Sequence, residues 1–290
     1  MPPTPCPMCG SFGKKSREHW LPRSWGARIP SPKVLLDTKV DEGEVQSFKL
    51  AERSPFGQPY SGICTSCNNG WLREVDEAAE DVAVNLALGE YSEVNAGERL
   101  PLARSLARAA LVLLWGRRND SPFPLESMRE FEATRNPPSR MTILLGRPEG
   151  AFATHAGGHV AVMRAEVEGE TVPFIALVGF SIGVLYVMVV LPIQGAEWVG
   201  RDVVRAVKRA AGGRLAQLWP SPRRSRLAIP RGPLTDDELR TLTSVRTLLL
   251  GAPVPPRADA SEVLEGRLAR YNGDFSPMVQ KAVKRIPPKR

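Results

Sequence analysis

The stretch CTSCNNGW at residues 64–71 decides how the first part of this chain folds. Its two cysteines are separated by two residues, and two asparagines follow the second cysteine directly. Asparagine is well suited to cap the free N–H groups at the start of a helix. Apolar residues then recur every three or four positions, which predicts one apolar helix face made by Trp71, Val75, Ala78, Val82 and Leu86. The stretch therefore predicts a tight cysteine turn that leads straight into a helix.

A second cysteine pair lies near the start of the chain, so the four cysteines are Cys6, Cys9, Cys64 and Cys67. Each C-x-x-C turn offers two sulfurs from one loop, and two such turns complete the tetrahedral four-thiolate set that zinc prefers. The residues before Cys6 do not form a secretory signal, and reduced thiols are typical of the cytoplasm. We therefore expect a cytoplasmic protein with a structural Zn²⁺ site. Two unrelated thiol pairs, or one redox pair, are the alternative.

The charge of the chain is unevenly distributed although its net value is +8. Residues 1–40 carry seven Lys/Arg against two Asp/Glu, and residues 201–290 carry nineteen against eight. The segment between them, 41–200, carries thirteen against twenty-one. Basic ends favour a polyanionic partner such as nucleic acid. Solvated surface charge explains the same pattern equally well.

The chain after residue 95 reads as a mixture of helices and antiparallel strands. Periodicity predicts a helix over 99–116 with Leu102, Leu106, Ala110 and Leu113 on one side and Arg104 and Arg108 elsewhere. A short helix is expected at 122–134, a four-stranded meander over 140–191, and further helices at 198–211, 234–249 and 260–271, before a basic tail at 281–290. The predicted class is α+β, with one domain at 1–95 and a second at 96–290.

Residues 174–193 form an uncharged run of twenty residues, which is the length of a membrane span. Gly179, Ser181 and Gly183 interrupt its middle, and valine and isoleucine dominate its second half. A turn at GFSIG between two buried strands explains both features. We therefore predict a β-hairpin here and no membrane contact, with a membrane helix as the alternative.

Three motifs occur in a fixed order: CPMC at 6–9, EHWLP at 18–22 and CTSCNNGW at 64–71. In this order the first 80 residues resemble the HNH (ββα-metal) endonuclease family in its zinc-bound form. The resemblance implies an N-terminal zinc-stabilised ββα-metal module. The 48 residues between His19 and Asn68 form a long insertion, in which VLLDTKVDEGEVQSFKL at 34–50 is compatible with a strand pair.

The resemblance also implies a role for each matching residue. His19 would be the general base, because a neutral imidazole can accept a proton near pH 7. Glu18 would offer the hard oxygen ligand that Mg²⁺ or Mn²⁺ prefers, and Asn68 would supply a second ligand or orient His19. The final histidine of many family members is absent, and Asp76 or Glu77 stands nearest to its place.

The leading hypothesis is a metal-dependent endonuclease that hydrolyses DNA phosphodiester bonds, with RNA as a further substrate and pairing of two chains for double-strand cuts. The alternative is a zinc-ribbon protein that binds nucleic acid or another partner without catalysis. The other two histidines, His155 and His159, lie in a glycine-rich stretch and are interpreted as loop residues.

Overall fold

The computed structural model describes residues 4–30, 35–41, 44–50, 56, 59–116, 124–149, 157–167, 170–221, 226–235, 238–239 and 242. The predicted helix at 260–271, the basic tail, His155 and most of the predicted helix at 234–249 lie outside these residues.

The described part of the chain contains both helices and strands. The helices are α1 (Arg23–Arg28), α2 (Thr65–Cys67), α3 (Arg73–Leu88), α4 (Ala96–Gly116), α5 (Leu125–Thr134) and α6 (Glu197–Ala210), and a π-helical turn at Asn68–Leu72 joins α2 to α3. The strands are β1 (Lys15–His19), β2 (Leu35–Asp41), β3 (Glu44–Leu50), β4 (Pro59–Cys64), β5 (Glu93–Asn95), β6 (Thr142–Gly146), β7 (Gly157–Val167), β8 (Glu170–Ile182), β9 (Leu185–Pro192), β10 (Ala216–Trp219) and β11 (Arg226–Ala228).

The N-terminal part is built on an antiparallel pair of strands that are distant in sequence. In this pair β1 lies against β4, with Lys15 opposite Cys64 and His19 opposite Pro59. The insertion between them forms its own antiparallel pair, β2 with β3. Because β4 runs directly into α2 and α3, the chain makes two paired strands followed by a helix.

The second sheet has five antiparallel strands in the order β10-β6-β9-β8-β7. The predicted hairpin is confirmed as β8 and β9, joined at Gly183, whose φ of 54° is left-handed. None of the described helices has the length and hydropathy needed to cross a membrane.

The order of the strands differs from the predicted meander, because β6 pairs with β9 rather than with β7. All eight residues of β9 are buried. A strand buried on both faces belongs in the interior of a sheet, with a partner along each edge. Turn motifs in the sequence predict that β8 and β9 are neighbours. They do not predict which strand pairs with the other edge of β9.

The sheet is covered by helices on both faces. Side chains of β9 point alternately to the two faces of the sheet. Val187 and Val189 pack on the face covered by α3, α4 and α5. Tyr186 and Met188 pack on the other face, which is covered by α6. The larger cluster also reaches the N-terminal part, where the Trp20 ring meets Phe180 edge-on with the ring centroids 5.6 Å apart. The apolar core is therefore continuous across residue 95, and the division into two domains stays a prediction.

The buried face of α3 differs by one position from the predicted face. Ala78 is exposed, whereas Ala79 is buried together with Val82 and Leu86. Residues 78 and 79 are both alanines, so the periodicity of the sequence fits either position. The π-helical turn also contains Gly70 with non-helical backbone angles, which displaces Trp71 from the regular phase of α3.

Candidate metal centre and the His19 region

The four cysteines come together in space although 54 residues separate Cys9 from Cys64. Their sulfur atoms all lie within 4.8 Å of one another, and the Sγ atoms of Cys9 and Cys64 are 3.6 Å apart. A tetrahedral zinc ion with Zn–S bonds of about 2.3 Å requires sulfur–sulfur separations of about 3.8 Å. The site therefore holds four thiols positioned to bind a metal ion such as zinc, and the predicted gathering of the four cysteines is confirmed.

Backbone hydrogen bonds shape the first cysteine turn. The N–H of Cys6 donates to the carbonyl of Ser11 at 2.8 Å, and the N–H of Gly10 donates to the carbonyl of Cys6 at 2.9 Å. Gly10 adopts a φ of 80°, which a residue without a Cβ tolerates best. The N–H of Cys64 donates to the Cys6 sulfur at 3.3 Å, which ties the two turns to each other.

The four thiols differ in how readily they lose a proton. Burial raises the pKa of Cys6 and of Cys67. Burial also acts to raise the pKa of Cys9, but hydrogen bonds from Ser11, Cys67 and Cys64 together outweigh it and lower the pKa to about 6. Because a metal binds thiolates, metal binding must displace protons from the buried sulfurs.

His19 ends β1 and is half-buried between the strand pair and the core. Burial lowers the pKa of His19, and the positive charges of Arg23 and Arg108 lower it further. The imidazole is therefore neutral at pH 7, which is the form that can accept a proton. The two residues that follow it, Trp20 and Leu21, are buried and anchor the end of the strand.

A buried arginine of α4 connects β1 to α3. Arg108 donates from Nη1 to the His19 carbonyl oxygen at 2.7 Å and from Nε to Oδ1 of Asp76 at 2.9 Å. Ser105 donates to the same Asp76 oxygen at 2.7 Å. Burial raises the pKa of Asp76, although Arg108 and Ser105 stabilise its ionised form.

The expectation that Arg108 lies off the buried side of α4 is wrong, because its side chain is 0% exposed. A guanidinium at this depth requires hydrogen-bond partners, and Asp76 and the His19 carbonyl provide them. The sequence signal for this arrangement is a basic residue within an otherwise apolar helical run, LARAALVLL at 106–114. Such a residue on a buried helix indicates a buried partner.

The other predicted site residues have the following positions. The backbone of Glu18 pairs with Tyr60, and its side chain lies outside the described part of the structure. Asn68 begins the π-helical turn directly after Cys67 and is partly exposed. Glu77 is exposed on α3 and forms an ion pair with Arg73 at 2.6 Å. Of the acidic residues expected near the missing histidine, Asp76 is the one that Arg108 links to the end of β1.

His159 lies in strand β7, opposite Gly179, rather than in a loop. The interpretation of this residue as part of a loop is therefore wrong. The strand begins at Gly157, because the β8 backbone provides a pairing edge that a glycine-rich sequence does not reveal.

No family model matches the chain, and neither a curated protein nor a solved structure is found to be similar to it.

Replacing a buried cysteine tests the metal centre. We expect the purified protein to contain one zinc per chain, and Cys64→Ser to lose it, because a hydroxyl is a poor zinc ligand. Loss of a structural metal should lower the melting temperature by at least about 10 °C. Ser66→Ala is the matched control, since Ser66 is exposed between the two cysteines of the same turn. Elemental analysis and thermal unfolding measure both effects, and stoichiometric zinc in Cys64→Ser would contradict the assignment.

A double-mutant cycle tests the link through Arg108. Arg108→Met and Asp76→Leu should each lower the free energy of unfolding by about 3–5 kcal/mol, because each leaves a buried charge without its partner. The double variant should lose clearly less than the sum, as measured by urea unfolding. The exposed pair Arg73 and Glu77 on α3 is the control cycle and should show a coupling of at most about 0.5 kcal/mol. Additive losses for Arg108 and Asp76 would refute the link.

Proposed function

We propose that this protein is a metal-dependent endonuclease of HNH type that hydrolyses DNA phosphodiester bonds. The observation that carries the proposal is the position of His19, a half-buried neutral imidazole at the end of β1. That strand pairs with β4, and β4 runs through the second cysteine turn into a helix. Two paired strands followed by a helix, held by a cysteine cluster, are what the resemblance in the first 80 residues implies.

In the proposed reaction His19 accepts the proton of the attacking water. A general base needs a pKa that keeps it unprotonated at the working pH, and burial with two neighbouring arginines provides this for His19. The carbonyl of His19 is fixed by Arg108, so the strand end that carries the imidazole is tied to α3 and α4. Tethering of this kind supports catalysis by limiting the orientations of the base.

Glu18 and Asn68 are the proposed ligands of a catalytic Mg²⁺ or Mn²⁺ ion. Such an ion would polarise the phosphate and stabilise the leaving oxygen. Asn68 follows Cys67 directly, so the zinc site would restrict where its side chain can go. Asp76 could become a further ligand only if it gave up the hydrogen bonds that it accepts from Arg108 and Ser105.

A second candidate function is a zinc-ribbon protein that binds nucleic acid without cutting it. Two acidic residues stand nearest to the place of the family's last histidine. Both form ion pairs within the protein, which favours this candidate because neither is free to bind a catalytic metal. Asp76 is paired with Arg108, and Glu77 is paired with Arg73. A protein of this kind would bind DNA or RNA in a salt-sensitive manner and would leave it intact with every metal.

The experiment that tests the proposal is cleavage of supercoiled plasmid by full-length protein with Mg²⁺ or Mn²⁺. We expect nicked and linear products from the wild type and a loss of at least about 100-fold in rate for His19→Ala, because a general base contributes about 10²–10⁴-fold. The zinc content of the variant should equal that of the wild type. Gel analysis of a time course measures the rate, and a labelled RNA tests the second substrate.

His159→Ala is the matched control, because it removes the other histidine whose backbone the structure describes, in strand β7 of the second sheet. It should cleave at the rate of the wild type. Equal cleavage by the wild type and His19→Ala would contradict the role of His19. Binding without cleavage under every metal would instead favour the zinc-ribbon candidate.

A further inference from the structure

An exposed aromatic ring lies between the first cysteine turn and β1. The side chain of Phe12 is 68% exposed, the highest value among the exposed large hydrophobic residues in the described part of the chain. The backbone beside it is ordered by the bond between Cys6 N–H and the Ser11 carbonyl and by the bond from Thr65 N–H to the Lys14 carbonyl. Phe12 is therefore a ring presented to solvent at a fixed place beside the metal centre.

Three exposed cations follow this ring in the sequence, two before His19 and one after it. They are Lys14, Arg17 and Arg23. Within the described residues, none of the three forms an ion pair with a carboxylate, whereas Arg28, Arg73 and Arg226 are each paired. The unpaired charges give this edge a positive potential that attracts an anion.

The geometry of β1 places one of these cations on the same side of the strand as His19. The pairing with β4 is regular from Arg17, opposite Ser61, to His19, opposite Pro59. Residues two apart in a regular strand point to the same face, about 7 Å from each other. Phe12 precedes His19 by seven residues, so it lies at most about 24 Å away along the chain. Arg23 begins α1 on the other side of His19 in sequence.

We propose that Phe12, Lys14, Arg17 and Arg23 form a strand-binding edge that holds a single-stranded nucleic acid across His19, with Phe12 stacked on an unpaired base. The proposal rests on the proposed function for its placement of the scissile phosphate at His19. Cations that follow the backbone, combined with an aromatic ring for the bases, are the usual means of binding single strands. A duplex hides its base faces in the stack, so the ring would contribute little to duplex binding. The edge thus predicts a preference for single-stranded or locally unpaired substrate.

The test measures binding separately from cleavage. Full-length, zinc-loaded protein is titrated against a fluorescein-labelled 16-nucleotide single strand and against the duplex of the same sequence, without added Mg²⁺ or Mn²⁺. We expect the single strand to bind more tightly. Phe12→Ala should weaken single-strand binding about tenfold without changing its salt dependence, and Phe12→Trp should restore it. Arg17→Gln should lower the slope of log K against log salt by about 0.7, which corresponds to one lost phosphate contact.

Control variants distinguish the edge from general surface effects. Tyr91→Ala removes another exposed aromatic ring, and Arg201→Gln and Arg209→Gln each remove a cation from α6 on the other side of the second sheet. Each should bind the single strand within twofold of the wild type. Zinc content and thermal unfolding of Phe12→Ala should match the wild type, because the ring is exposed.

Unchanged single-strand binding by Phe12→Ala would overturn the proposal, as would tighter binding of the duplex or equal losses in Tyr91→Ala. These results are independent of the nuclease test. If the wild type cleaves DNA while Phe12→Ala binds normally, the edge is refuted and the nuclease remains. If the binding results are as expected but no metal supports cleavage, the nuclease is refuted and the edge remains.

Discussion

The convergence of four cysteine sulfurs is the constraint on which the rest of this structure depends. Cys6 and Cys9 lie in the turn that precedes β1, Cys64 ends β4, and Cys67 ends the short helix α2 before the π-helical turn and α3. One metal ion at these sulfurs would hold together the beginning of one strand, the end of its partner and the start of a helix. The long insertion between β1 and β4 adds an entropic cost to the pairing of these strands, and a metal bound by all four cysteines would offset that cost.

Arg108 fixes the opposite end of the same strand pair. Its guanidinium binds the carbonyl of His19 and the carboxylate of Asp76, so β1, α3 and α4 meet at one buried cation. The cysteines set the register at one end of β1, and the arginine sets the position of the other end. The imidazole of His19 thus extends from a strand whose two ends are both tied to other elements, which suits the role of general base that we propose for it.

The sequence predicted what depends on local spacing and missed what depends on distant partners. The cysteine pairs predicted the metal centre because ligand chemistry requires four sulfurs, and GFSIG predicted the β8–β9 turn because glycine permits the left-handed backbone. The placement of β6 beside β9 and the burial of Arg108 were missed, since both depend on contacts between remote residues. The predicted buried face of α3 contained Ala78 instead of Ala79, because both positions are alanine and the apolar pattern fits either one.

The proposed function requires Glu18, His19 and Asn68 to share one divalent ion, separate from the metal at the four cysteines and reaching the opposite end of β1. Anomalous diffraction from crystals of the full-length protein grown with Mn²⁺ locates both ions. We expect two separate metal peaks, one of zinc among the four sulfurs and one of manganese bonded to Glu18, with the imidazole of His19 and the amide of Asn68 around it. A single peak at the sulfurs, with these three side chains pointing apart, would rule out the proposed catalytic ion.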